Sequence, residues 1–107
     1  MKQTLAGIPT QRFYERDYYL AIACKMCGVT PLEVMSSGNR KSAVATARRA
    51  IIWKLYNDGG LTIETVGAML GIKRNSAWSA LKQAYYCLQL PHLYPLLTKV
   101  VIALNGQ

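Results

Sequence analysis

Apolar residues in this chain return every three or four positions in stretch after stretch, with glycine, proline and small polar residues between the stretches. Such spacing marks amphipathic helices, and the β-branched residues are too scattered to alternate as a strand requires. A first helix is predicted from Thr10 to Cys27, with Phe13, Tyr19, Ile22, Ala23 and Met26 facing inward and Gly28 ending it. Thr30 and Pro31 start a short second helix, Pro31–Met35. Threonine caps it, proline takes the first helical position, and Glu33 completes a capping box. After the break at Ser36-Ser37-Gly38-Asn39, a long helix runs from Lys41 to Tyr56. There Val44, Ala47, Ile51 and Leu55 repeat at helical spacing, and Asn57-Asp58-Gly59-Gly60 forms the stop. Beyond Pro91 a last amphipathic helix, Leu93–Leu104, carries Leu96, Leu97, Val100, Val101 and Leu104.

Leu61–Lys82, LTIETVGAMLGIKRNSAWSALK, is the most informative stretch. It reads as a helix capped by Thr62, a glycine turn, and a second helix opening on Lys73, Arg74 and Asn75. That is the layout of a helix-turn-helix, whose second helix enters the DNA major groove. Small Gly67 lets the two helices approach closely, and Gly71 supplies a turn in which positive φ is cheap for glycine alone. Val66, Leu70, Ile72, Ala77 and Leu81 fall where the pair shares a core, and Ala80, Ala84 and Leu88 extend the stripe. Asn75, Ser79 and Lys82 fall on the opposite, polar face. The expected fold is all-α, about six helices including a helix-turn-helix, with residues 1–107 as a single domain.

Charge sharpens this picture. Thirteen Lys and Arg against five Asp and Glu give a net charge of +8, a long-range attraction for polyanions. The cations cluster: Arg40, Lys41, Arg48, Arg49 and Lys54 on the loop and helix before the pair, and Lys73, Arg74 and Lys82 on the pair itself. Arg40 and Lys41 lead directly into a helix N-terminus, where free N–H groups favour a phosphate and a flexible arginine reaches a minor groove. No apolar run reaches the ~18 residues of a membrane span, and MKQTLAGIPTQRFYERD has no signal-peptide apolar core. A soluble, cytoplasmic, nucleoid-associated protein without membrane contact is expected.

Cys24 and Cys27 have the spacing of a metal or redox pair, but only Cys87 and the lone His92 remain to complete a zinc site. A thioredoxin-like motif needs a βαβ context that is missing. Small buried hydrophobes explain these cysteines better. Tyr18-Tyr19 is reminiscent of the nucleophiles of strand-nicking enzymes, yet the histidine cluster such enzymes use for a metal is absent, and core tyrosines explain the pair. There is also no phosphate-binding GxxxxGK[ST] loop. The chain therefore reads as a binding protein and not an enzyme, with no cofactor, metal or small-molecule substrate.

At this point residues 28–84 resemble a known family, the C-terminal DNA-binding domain (domain IV) of the bacterial chromosomal replication initiator DnaA. The resemblance runs through VTPLEVMSSGNRKSAVATARRAIIWKLYNDGGLTIETVGAMLG. Val29–Ser36 is similar to the family's short first helix, and Gly38-Asn39-Arg40-Lys41 to its basic loop. Val44 through Leu55 matches the helix marked "va.aRq.a.yL", and Leu61–Gly71 the "sl.eIG..fg" helix.

The resemblance implies a Trp-repressor-like helix-turn-helix module that binds double-stranded DNA. It places Arg40 in the minor groove, Arg48 and its adjacent helix face at phosphate, and the second helix of the pair at the bases. On this chain's own residues the backbone set is then Lys41, Arg48, Arg49 and Lys82, and the base-reading set Lys73, Arg74, Asn75, Ser76 and Ser79. The reading head departs from the family. Its Asp-His-Thr-Thr-Val signature gives way to Lys73-Arg74-Asn75-Ser76-Ala77, so the architecture carries over and the target sequence does not. A free-standing module of this kind, lacking an ATPase domain, implies control of replication or transcription at a DNA site. The alternative is a protein-interaction or adaptor module on the same fold. RNA is a further polyanion that charge alone admits.

Overall fold

Thr10–Cys27 opens a run of six helices in the computed structural model, which describes residues 7–36 and 41–106. In chain order these are α1 (Thr10–Cys27), α2 (Pro31–Val34), α3 (Ser42–Gly59), α4 (Ile63–Leu70), α5 (Arg74–Leu88) and α6 (Pro95–Gly106). The described residues contain no strand.

The boundaries follow from local chemistry. α1 ends where Gly28 turns left-handed, its N–H bonded back to the Cys24 carbonyl. α2 is held by both halves of its capping box. Thr30 Oγ1 accepts from the Glu33 N–H at 3.2 Å, and the Glu33 carboxylate accepts from the Thr30 N–H at 2.9 Å. α4 is capped by Thr62, whose hydroxyl accepts from the Thr65 N–H. Two boundaries differ from the sequence expectation. α3 continues through Asn57 and Asp58 to Gly59, because both polar side chains bond back one turn: Asn57 Nδ2 donates to the Trp53 carbonyl, and Asp58 pairs with Lys54. Gly60, at φ 64°, is the residue that ends it. α6 starts at Pro95 and not Leu93, since Pro91–Leu93 form a turn and proline suits a first helical position.

α3 is the central helix, packed against α1, α5 and α6. Ile51, Ile52 and Leu55 on α3 are at most 1% exposed, and they meet Val66, Leu70, Leu81 and Val100 in one core. Burying each such aliphatic side chain contributes roughly 1.5–3 kcal/mol. α4 and α5 are joined by Gly71-Ile72-Lys73 alone. Val66, Leu70, Ile72, Ala77 and Leu81 are all buried, as their spacing predicts. A methyl group on Gly67 would lie 3.0 Å from the Ile72 carbonyl oxygen and 3.3 Å from the Ala77 methyl, so any side chain there pushes α4 off α5.

Three expectations need correction. Of the tyrosine pair expected in the core, only Tyr19 packs against it, and Tyr18 is 58% exposed. Met26 is 38% exposed, because the buried stripe of α1 runs through Leu20, Ala23 and Cys24 and turns Met26 outward. Lys54, grouped above with the basic surface, is 6% exposed. It pairs with Asp58, donates to Asn105 Oδ1 at 2.8 Å and lies over the Tyr19 ring, fastening α3 to α6 and α1. A buried ammonium is tolerable only when partnered this way. Among the described residues no helix is long and apolar enough to cross a membrane.

Candidate nucleic-acid interface

α5 buries Ala77, Ala80, Leu81, Ala84 and Cys87 along one side, and this sets what the other side presents. Residues four apart on a helix lie one above the other, so Asn75, Ser79 and Gln83 form one exposed row of amide and hydroxyl groups. That row faces α3. Between the two helices lies an open groove of about 370 Å³, whose polar lining is Arg48, Arg49, Asn75, Ser76, Ser79 and Gln83. The small side chains of Ala45 and Ala80 keep it open. Arg49 spans it, donating from Nε to Gln83 Oε1 at 2.9 Å.

The groove thus gathers five of the ten residues singled out from the sequence: Asn75, Ser76, Ser79, Arg48 and Arg49. Lys73 is the N-cap of α5 and Arg74 its first residue, both exposed at the groove's end of the helix. Lys82 is exposed further along α5, its ammonium 5.9 Å from the Trp78 ring centre. Trp78 is itself 44% exposed. Lys41 caps α3 by position and pairs with Glu33 at 3.4 Å. Arg40 lies outside the described residues.

Arg48 is placed differently from its neighbours. Its Nε donates to the Val34 carbonyl at 2.9 Å, and its Nη2 donates to the Ser36 carbonyl at 2.9 Å and the Glu33 carbonyl at 3.4 Å. It closes the C-terminal end of α2, adding to the Met35 and Ser36 N–H groups that bond the Pro31 and Glu33 carbonyls. Burial lowers the pKa of its guanidinium. One edge of Arg48 is therefore committed to the fold while the side chain still lines the groove.

Cations without a carboxylate partner gather on the α5 side, although Lys25 on α1 and Lys99 on α6 also pair with none among the described residues. Four acids are committed elsewhere: Glu15 to Arg12, Asp17 to Arg16, Glu33 to Lys41 and Asp58 to Lys54. The fifth, Glu64, lies in the first turn of α4, and no acid follows it in the chain. Among the described residues Arg49, Lys73, Arg74 and Lys82 pair with no carboxylate. The start of α5 has neither a side-chain cap nor an acid in its first turn. Its free N–H groups and two cations together attract an anion.

Gln83 was not singled out from the sequence, although it continues the Asn75–Ser79 row at the same spacing. Among the described residues no three His, Cys, Asp or Glu side chains gather to hold a metal ion. Cys24, Cys27 and Cys87 are free thiols, and burial raises the pKa of Cys24 and Cys27. No protein-family model, curated protein or solved structure matches this chain.

Proposed function

We propose that the protein binds double-stranded DNA, with α4, the Gly71–Lys73 turn and α5 acting as a helix-turn-helix. The observation that carries this reading is the α3–α5 groove: hydrogen-bonding side chains on one exposed helix, flanked by cations that no acid neutralises. A recognition helix needs that combination, because phosphates position a protein and base edges specify its site. Arg74 pairs bidentately with guanine and Asn75 with adenine, each worth about 1–3 kcal/mol of discrimination. Lys73, Ser76 and Ser79 complete the base contacts, while Arg49, Lys41, Lys82 and the free edge of Arg48 hold phosphates and Arg40 the minor groove. The similarity of residues 28–84 to the DNA-binding domain of the replication initiator DnaA supports the same reading, and with it a role at a replication or transcription control site.

The test is selection of bound duplexes from a random pool, followed by sequencing. An enriched motif whose preference relaxes in Arg74→Ala is the expected result. Recovery of no motif with undiminished binding would leave a nonspecific DNA-coating role and remove the base contacts. A second reading, an adaptor that docks a protein, draws on exposed apolar side chains far from the groove, with Tyr14 71%, Leu32 80% and Ile102 62% exposed. Binding that survives high salt would favour it.

A further inference from the structure

Beside the Asn75–Ser79–Gln83 row, α5 carries a second exposed row of different chemistry. Arg74, Trp78, Lys82 and Tyr86 follow at intervals of four, so cation and aromatic ring alternate along about 18 Å of helix. Tyr86 is 60% exposed. At the far end of the row the surface opens into a second cavity of about 420 Å³, walled by Tyr86 and Tyr94 with Arg49 and Lys82 at its rim. The two tyrosine rings stand edge to face, 6.5 Å apart. This cavity and the α3–α5 groove share Arg49 and Gln83, so one leads into the other.

The change of lining between the two is informative. Amides and hydroxyls read base edges, the part of a base that a duplex leaves open. An exposed tyrosine ring offers a flat face, and in a duplex the faces of the bases are covered by their neighbours. Apart from the outer face of a terminal pair, only an unpaired base presents a face to stack on, and cations beside the ring hold its phosphate.

We propose that the Tyr86–Tyr94 cavity receives an unpaired DNA base from a strand continuing beyond the duplex, stacked on Tyr86, with its phosphate held by Arg49 and Lys82. The inference rests on the reading of α5 as the DNA-facing helix. It makes the protein a binder of duplexes with single-stranded extensions, forks or opened sites in preference to fully paired duplex.

The experiment is fluorescence anisotropy with the full chain on three probes: a blunt duplex, the same duplex with a short single-stranded extension of either polarity, and the free strand. An RNA extension serves as a fourth probe. The DNA extension of one polarity is expected to tighten binding about tenfold, the size of one base stacked on one aromatic ring. Tyr86→Phe keeps that gain and Tyr86→Leu loses it, while both bind the blunt duplex like the parent. Because Tyr86 is largely exposed, both variants keep the core, and matching circular dichroism checks this. Equal affinity for blunt and extended duplexes overturns the proposal and leaves duplex binding standing. Failure on the blunt duplex with Tyr86-dependent binding of the free DNA strand upholds the cavity and overturns the duplex reading. A gain confined to the RNA extension, or an equal loss in Tyr86→Phe and Tyr86→Leu, also overturns the proposal.

Discussion

Helix starts in this molecule come in two kinds. α2 and α4 are closed by their own side chains: Thr30 and Thr62 each accept a backbone N–H, and each first turn holds an acid, Glu33 or Glu64. α3 and α5 open instead on Lys41 and Lys73, with no side-chain cap and no acid in the first turn. The chain clearly supports the first arrangement, so the second is not for want of suitable residues. A cation at a helix N-terminus opposes the macrodipole, at a cost of about 0.3–1 kcal/mol. α1 also lacks a side-chain cap; there Arg12 pairs with Glu15, as Lys41 at the start of α3 pairs with Glu33, whereas Lys73 and Arg74 at the start of α5 pair with no carboxylate among the described residues. α5 is thus the groove-lining helix whose start carries two cations, no side-chain cap and no carboxylate partner among the described residues.

The sharpest way to break the contrast is Lys73→Asp. Lys73 already has the extended backbone of an N-cap, φ −71° and ψ 153°, so an aspartate there caps without strain. Stability is expected to rise by about 1 kcal/mol in urea titrations, while duplex affinity falls about tenfold to a hundredfold as a base-facing cation becomes an anion. Lys73→Ser separates the two effects: it keeps the added cap, and duplex affinity should fall less than in Lys73→Asp.

Arg48→Ala comes next. It removes the arginine donor from the Val34 and Ser36 carbonyls and one of two donors from the Glu33 carbonyl, which keeps the Ser36 N–H. A loss of about 2 kcal/mol is expected from bonds to a charged donor. Duplex affinity should weaken alike for all sequences, since Arg48 supports the groove and reads no base. A loss confined to one sequence would contradict that role. Thr62→Ala then probes the self-sufficient class: removing the cap should cost about 1 kcal/mol of stability, with duplex affinity unchanged. A parallel fall in affinity would show that α4's start also faces DNA.

The smallest effect is in pH. Bonds from the Thr30 backbone N–H and the Lys41 ammonium hold the Glu33 carboxylate below its ordinary pKa. A folded-state pKa lowered in this way adds stability above the unfolded glutamate value, and that stability is lost as pH falls through the lowered one. Glu33→Gln should therefore be slightly less stable than the parent in urea titrations at neutral pH, and the difference should close as pH falls through and below the ordinary glutamate range. An unchanged difference at every pH would mean that the charge of Glu33 does nothing for α2.

Much of this was legible in the sequence, and for local reasons. The extent of α1, the Thr30–Glu33 box, the Thr62 cap, the Gly71 turn and the close approach at Gly67 depend on residues within a few positions of one another. What escaped was set by tertiary partners. Arg48 and Lys54 look like surface cations by spacing, yet one is drawn to carbonyls 12 to 15 residues earlier and the other to Asn105, 51 residues later. Met26 was missed because its helix is rotated by what packs against it. Gln83 and Tyr86 continue rows visible by counting fours, but the cavities they line exist only once α3 and the approach to α6 are in place.

The central claim, that the uncapped cationic side of the molecule binds duplex DNA, is tested most directly by titrating a blunt duplex at several salt concentrations between about 50 and 200 mM. With about six phosphates neutralised, log K should fall linearly against log salt with a slope near −5. Affinity that does not change with salt, or no binding at the lowest salt, would contradict it.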